Sequence, residues 1–185
     1  MGKQKTITVF GSSRPRQGDA DYEGARLLGR ALAEKEFAVC SGGYGGVMAA
    51  VSQGAKEAGG KTLGVTAAFF KKAKLNSWID MEVRKKTWQA RLFELIRRGD
   101  GFVACKGGTG TLVELAVVWE MLNKSVMPAK PFVALGDFWR PILERVREVE
   151  AAHGAPWGEA NGTLVHVAAT ADEAAAYLKQ SLSEV

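Results

Sequence analysis

The chain has 185 residues, 46% of them hydrophobic, with 25 basic and 20 acidic side chains and a formal charge of +5. That length suits one well-buried α/β domain and is short for two, while acids mixed among the bases make the charge no sign of nucleic acid by itself. No apolar run approaches the roughly 18 residues of a membrane span and no signal-peptide core precedes the first strand, so a soluble, cytoplasmic protein is expected.

Thr6 to Phe10 is a short β-rich run that ends at Gly11-Ser12-Ser13, and Tyr22 to Lys35 follows with helical spacing through Ala25, Leu28, Ala31 and Leu32. The same grammar repeats. Phe37 to Cys40 leads into Ser41-Gly-Gly-Tyr-Gly-Gly46, then a helix through Met48, Val51 and Ala55 that stops at Gly59-Gly60. Lys61 to Thr66 reads as a third strand. Beyond a connection carrying Lys71, Lys72 and Lys74, a strand around Trp78 to Val83 precedes a helix from about Arg84 to Arg98.

Gly101 to Cys105 is the next strand, and after Lys106-Gly-Gly-Thr-Gly110 a nearly all-apolar helix runs from Thr111 to Leu122. Strand Phe132 to Leu135, helix Phe138 to Val149, a loose stretch from Ala151 to Gly162, strand Thr163 to Ala168 and a helix from Ala171 complete the chain. Such alternation predicts an α/β fold: a single domain with a Rossmann-like, doubly wound parallel sheet and helices on both faces. Cys40 and Cys105 close apolar runs, lack CxxC spacing and have His153 and His166 as their sole imidazole company. Reduced core thiols are expected, with no metal and no redox cofactor.

In an open parallel sheet, ligands bind beyond the carboxyl ends of the strands. Three loops there are rich in small residues: Gly11-Ser12-Ser13, Gly42-Gly43 with Gly45-Gly46, and Gly107-Gly108 with Thr109 and Gly110. None is GxGxxG, and Lys106 precedes its glycines instead of following them, which disfavours dinucleotide hydride transfer and a P-loop NTPase. A mononucleotide fits better, its phosphate on the N–H groups of Gly108 to Thr111 and Ser12 and Ser13 closing the crevice.

Glu114, expected in the first turn of the apolar helix, admits two roles. Thr111-Leu-Val-Glu114 fits a capping box, and the same carboxylate stands beside the anion site. On the preceding helix, Trp88, Leu92, Leu95 and Ile96 make the buried stripe, with Arg84, Thr87, Arg91 and Arg98 along its flank. Arg91, nearest the middle, is the arginine expected to reach the crevice and pair with a carboxylate or phosphate.

The run Gly107-Gly108-Thr109-Gly110-Thr111-Leu112-Val113-Glu114 resembles the GGxGTxxE signature of the Lonely Guy proteins, which are often labelled lysine decarboxylases. The resemblance extends to Gly11-Ser12-Ser13, Gly42-Gly43, Gly46-Val47-Met48 and Asp100-Gly-Phe-Val-Ala104, covering Thr6 to Leu135 in order. It implies a phosphoribohydrolase that cuts the N-glycosidic bond of an AMP-like nucleoside 5′-monophosphate, works as a homodimer or larger assembly and needs no cofactor. It also implies a catalytic pair, Arg91 and Glu114, with Gly45 and Met48 among the nucleotide-binding residues. Lys106 stands where the family has proline, Leu92 where a lysine follows the arginine, and Val113 where a second acid is common.

A protein that holds a nucleotide or phosphorylated cofactor without turnover is the alternative that those departures motivate. Nucleic-acid binding through Arg14, Arg16, Lys71, Lys72 and Lys74 is disfavoured, because no aromatic residues are interleaved with them. The helix bearing Trp119 and Met121 is the expected contact face for self-association.

Overall fold

The computed structural model describes residues 4–152 and 164–183. Thirteen elements follow in chain order: β1 Thr6–Phe10, α1 Ala20–Glu34, β2 Ala38–Ser41, α2 Val47–Glu57, β3 Thr62–Ala67, β4 Met81–Lys85, α3 Trp88–Arg98, β5 Gly101–Ala104, α4 Thr109–Asn123, β6 Phe132–Leu135, α5 Arg140–Ala152, β7 His166–Ala168 and α6 Ala171–Ser183. His153, Thr163 and most of the stretch expected as a loose loop lie outside the described residues.

The strands form one parallel sheet in the order β4-β3-β2-β1-β5-β6-β7. Period-two alternation divides their side chains between two cores. Ile7, Val9, Val39, Val103 and Val133 face the side covered by α1, α2 and α6, with Leu28, Val51 and Leu178. Phe10, Cys40, Phe102, Ala104 and Phe132 face α3, α4 and α5, with Leu95, Leu115, Trp119 and Leu143. Because both faces are covered, the central strands are buried on both sides instead of alternating apolar with exposed polar residues, and a polar side chain among them such as Thr8 is satisfied internally, its hydroxyl donating to the Leu95 carbonyl (3.0 Å). Both cysteines are free and buried, as expected.

On the first face, α1 and α2 cross so closely that a Cβ on Gly29 would overlap the Val51 carbonyl and one on Gly54 the Arg26 carbonyl. On the other, Thr87 opens α3 by accepting a hydrogen bond from the Ala90 N–H (3.1 Å). The helix therefore begins at Trp88, four residues later than the apolar spacing suggests, and β4 lies correspondingly later than Trp78–Val83. Arg84 and Lys85 are strand residues, paired in register with Thr66 and Ala67 of β3. Arg84 thus shares no helix face with Arg91, and Trp88 is 37% exposed instead of joining the buried stripe of Leu92, Leu95 and Ile96.

The chain leaves β1 for β2, β3 and β4 in turn and returns on the far side of β1 as β5. The carboxyl ends of β1 and β5 thus meet at the point where the winding reverses, the usual place for a ligand crevice. The Cys105 N–H donates to the Phe10 carbonyl (2.9 Å) and the Ser12 N–H to the Lys106 carbonyl (3.3 Å), which brings the first and third small-residue loops side by side.

Candidate functional site

All three loops gather on this edge. Gly11 lies against α2, where a Cβ would overlap the Val47 side chain. The Ser12 carbonyl accepts from the Val47 N–H (2.8 Å), its hydroxyl accepts from the Arg14 N–H (3.1 Å), and Ser13 is exposed. In the second loop, Gly43 and Gly46 have φ of +76° and +64°, which only glycine adopts without strain. Gly45 faces the Ser13 carbonyl across the gap between loops.

The third loop leads into α4 with Gly108 at the cap position, and no side chain caps that helix. Its first in-helix bond runs from the Leu112 N–H to the Gly108 carbonyl (2.9 Å), so the N–H groups of Thr109, Gly110 and Thr111 precede the helical ladder. Gly107 is required by packing, since a Cβ there would overlap the Thr111 side chain. Gly108 and Gly110 are different: their φ is not positive and nothing lies within 4 Å of a Cβ built on either. Their bareness leaves open space over the helix start, the form of an anion cradle.

Counting from Thr109, Glu114 is the sixth helical residue, in the second turn and not the first. Thr111 is the third, buried at 3% exposure, and caps nothing. The capping-box role is therefore excluded for both. Instead the Glu114 carboxylate turns to Arg91, with Oε1 3.8 Å from Nη1. Burial raises its pKa from 4.5 to about 7, against the opposing pull of the Arg91 charge.

Arg91 itself is only 7% exposed. Its Nε donates to the Val65 carbonyl (2.8 Å) and its Nη2 to the Gly42 carbonyl (3.2 Å), with the Met48 sulfur 3.8 Å from Nη2. Gly42 is glycine because a Cβ would overlap this guanidinium. The rings of Tyr44 and Phe70 flank the cation, their centroids 5.5 and 5.7 Å from Cζ. Burial lowers the Arg91 pKa, and Glu114 is the largest opposing influence.

The expected pair is thus brought together, with Gly42 and Met48 in contact with it. Tyr44 and Phe70 escaped the sequence reading, although Tyr44, as the one large residue inside a glycine run, was the available signal. Lys106 forms an ion pair with Asp21 of α1 (3.0 Å). The two line a cleft of about 460 Å³ that adjoins the third loop and also includes Ser12, Arg14, Gly107 and Phe138. A larger cavity of about 890 Å³ lies at the other edge of the sheet, around Lys5, Asp100 and Lys130, away from these loops. Among the described residues, no His, Cys, Asp or Glu cluster of three or more could hold a metal, and no helix is long and apolar enough to cross a membrane.

Comparison with known proteins agrees with this fold. A cytokinin riboside 5′-monophosphate phosphoribohydrolase from Rhodococcoides fascians is 31% identical over 156 residues, covering 77% of this chain and 74% of its own. Among solved structures, the molybdenum cofactor binding protein from Rippkaea orientalis superposes with a TM-score of 0.74 at 25% identity, over 97% of this chain and 98% of its own. The Moco carrier protein from Chlamydomonas reinhardtii does so with a TM-score of 0.70 at 26% identity, over 99% and 100%. The model of the SLOG cluster4 family matches residues 4–152, and with these relatives it establishes that the chain belongs to that family, among the Lonely Guy-type proteins.

Proposed function

We propose that the protein is a phosphoribohydrolase that cleaves the N-glycosidic bond of a purine-type nucleoside 5′-monophosphate to give the free base and ribose 5-phosphate. The observation that carries this reading is the buried Arg91–Glu114 pair beside an uncapped helix start whose Gly108 and Gly110 face open space. Glu114 follows Gly110 by four residues, about 6 Å along the helix axis, a spacing on the scale of a ribose between its phosphate and its anomeric carbon.

In the reaction, the bond between C1′ and the base nitrogen breaks and its electron pair leaves with the base. Positive charge then develops on the ribose, as in other glycoside cleavages. The Glu114 carboxylate faces that charge, orients the water whose oxygen adds to C1′ and takes the proton that water gives up, while the released base nitrogen takes a proton from solvent and Arg91 holds the carboxylate in place. The Thr109, Gly110 and Thr111 N–H groups take the phosphate, with Ser12 and Ser13 at the rim. Burial that keeps the carboxyl group near neutrality makes it responsive around pH 7.

A second reading is a carrier of a phosphorylated cofactor. It is favoured by the near-complete overlap with cofactor-binding proteins and by the departures at Lys106 and Leu92. Incubation with a panel of nucleoside 5′-monophosphates, followed by assay of ribose 5-phosphate, separates the two. Product from a purine monophosphate supports the enzyme; tight binding without product supports the carrier. We further propose a cytoplasmic homodimer, with the α4 stripe of Val113, Val117 and Met121 at the contact. These three are partly buried, whereas Trp119 packs into the chain's own core at 6% exposure.

A further inference from the structure

We propose that Tyr44 is the positioning residue for Arg91: it fixes the guanidinium so that a single edge, Nη1, is presented to Glu114 and the crevice. The inference deepens the reading of Arg91 and Glu114 as the working pair and rests on it.

Tyr44 is held from three directions. Its hydroxyl accepts from the Ala67 N–H (2.8 Å) and donates to the Ala67 carbonyl (3.1 Å), at the end of β3. Its backbone carbonyl accepts from Asn76 Nδ2 (3.0 Å), and the Asn76 N–H donates to the neighbouring Gly43 carbonyl (2.9 Å). Its ring, 9% exposed as a residue, lies 5.5 Å from Arg91 Cζ and meets the Phe70 ring edge-on at 5.7 Å. The end of β3 and the β3–β4 connection are therefore both clasped to the second glycine loop, at Ala67 and at Asn76, with Tyr44 as the common member.

The consequence for Arg91 is geometric. A guanidinium carries five N–H donors in a rigid fork. Here carbonyls of β3 and of the second loop take the Nε and Nη2 side, and aromatic rings flank the cation. A long arginine side chain otherwise has many rotamers, and a 3.8 Å approach to a carboxylate is easily lost. Tyr44 is the element that makes this conformation unique: the hydroxyl anchors the ring, and the ring limits where the guanidinium lies.

The ionisable groups bearing on Arg91 are Glu114 from α4, Tyr44 from the second loop and Cys40 from β2; on Glu114, Arg91 is the charge that acts. Displacing Arg91 removes the one influence that holds the Glu114 carboxyl down, so its titration moves upward. A purely structural tyrosine gives no such signature.

The test is a carboxyl-carbon NMR titration of Glu114 in the full chain, with steady-state kinetics alongside. In the wild type the midpoint is expected at about 7. Tyr44→Leu, which removes ring and hydroxyl, is expected to raise it by about half a unit or more and to cut kcat about 100-fold, with KM for the monophosphate within about threefold because the phosphate loop is untouched. Tyr44→Phe, which keeps the ring, falls between the two. If thermal unfolding shows that Tyr44→Leu does not fold, Phe70→Leu is read instead, with an upward shift again expected. An unshifted Glu114 midpoint, or kcat unchanged in a folded variant, overturns the proposal. If the wild type releases no ribose 5-phosphate, the enzyme reading fails, and the NMR midpoint still decides the role of Tyr44.

Discussion

Glu114 is held in a state that costs the folded protein stability. Its pKa rises on folding, so the unfolded chain gives up the proton first; the penalty grows from about pH 4.5 to about 7 and then stays constant. Glu114→Gln should therefore stabilise the protein by about 1–3 kcal/mol at pH 8 and by little at pH 4, measured by chemical denaturation at each pH. Equal effects at both would mean that the carboxyl group is not strained by burial. Glu94 behaves in the opposite way. Arg97, desolvation notwithstanding, and then Arg98 and Lys85 hold its carboxyl at about 2 through hydrogen bonds. The stabilisation is present above about pH 4.5 and lost as pH falls through about 2, so Glu94→Gln should cost about 1–3 kcal/mol at pH 7 and progressively less on acidification. At this scale the sequence pointed to Arg91 through helix spacing and to both Arg91 and Glu114 through the family signature, and the structure sets the two 3.8 Å apart. Tyr44 and Phe70 stayed hidden, since contact with a cation across two loops leaves no periodic trace in the chain.

At the scale of elements, the strands and helices were legible from alternating apolar runs and glycine stops, and the errors fall where a local signal competes with pairing. Arg84 and Lys85 belong to β4 because β3 offers Thr66 and Ala67 in register, and the Thr87 hydroxyl then sets the start of α3. Likewise, a Thr-x-x-Glu pattern does not make a capping box when Gly108 and two further residues have already opened the helix. The close crossing of α1 and α2 gives a sharp element-level prediction. Gly54 would gain helix propensity as alanine, yet its Cβ would overlap the Arg26 carbonyl, and backbone cannot swing aside as a side chain can. Gly54→Ala should lower stability by about 1–3 kcal/mol through separation of the two helices. A neutral or higher melting temperature would show that the crossing is looser than described.

For the molecule as a whole, the order of strand, loop and helix predicted the doubly wound sheet, and the reversal of winding at β1 and β5 explains why three loops far apart in sequence share one edge. Assembly was less legible. Nearly all-apolar apart from Glu114 and Glu120, α4 gives little helical periodicity to tell its core face from an outer one, and the structure turns Trp119 inward while Val113, Val117 and Met121 stay partly accessible. If that stripe joins two copies, Val117→Glu should shift sedimentation from dimer to monomer with the fold retained by circular dichroism; an unchanged sedimentation coefficient would move the contact elsewhere.

The central claim is that Arg91 and Glu114 perform chemistry on a nucleotide whose phosphate rests on the start of α4. Ribose 5-phosphate release from a purine nucleoside 5′-monophosphate, measured side by side for the wild type, Arg91→Ala and Glu114→Gln at pH 8, tests it most directly. The account predicts product from the wild type and a loss of about 100-fold or more in each variant, with monophosphate binding retained by Glu114→Gln. Product that Glu114→Gln releases undiminished, or a wild type that binds the nucleotide and releases none, would contradict it.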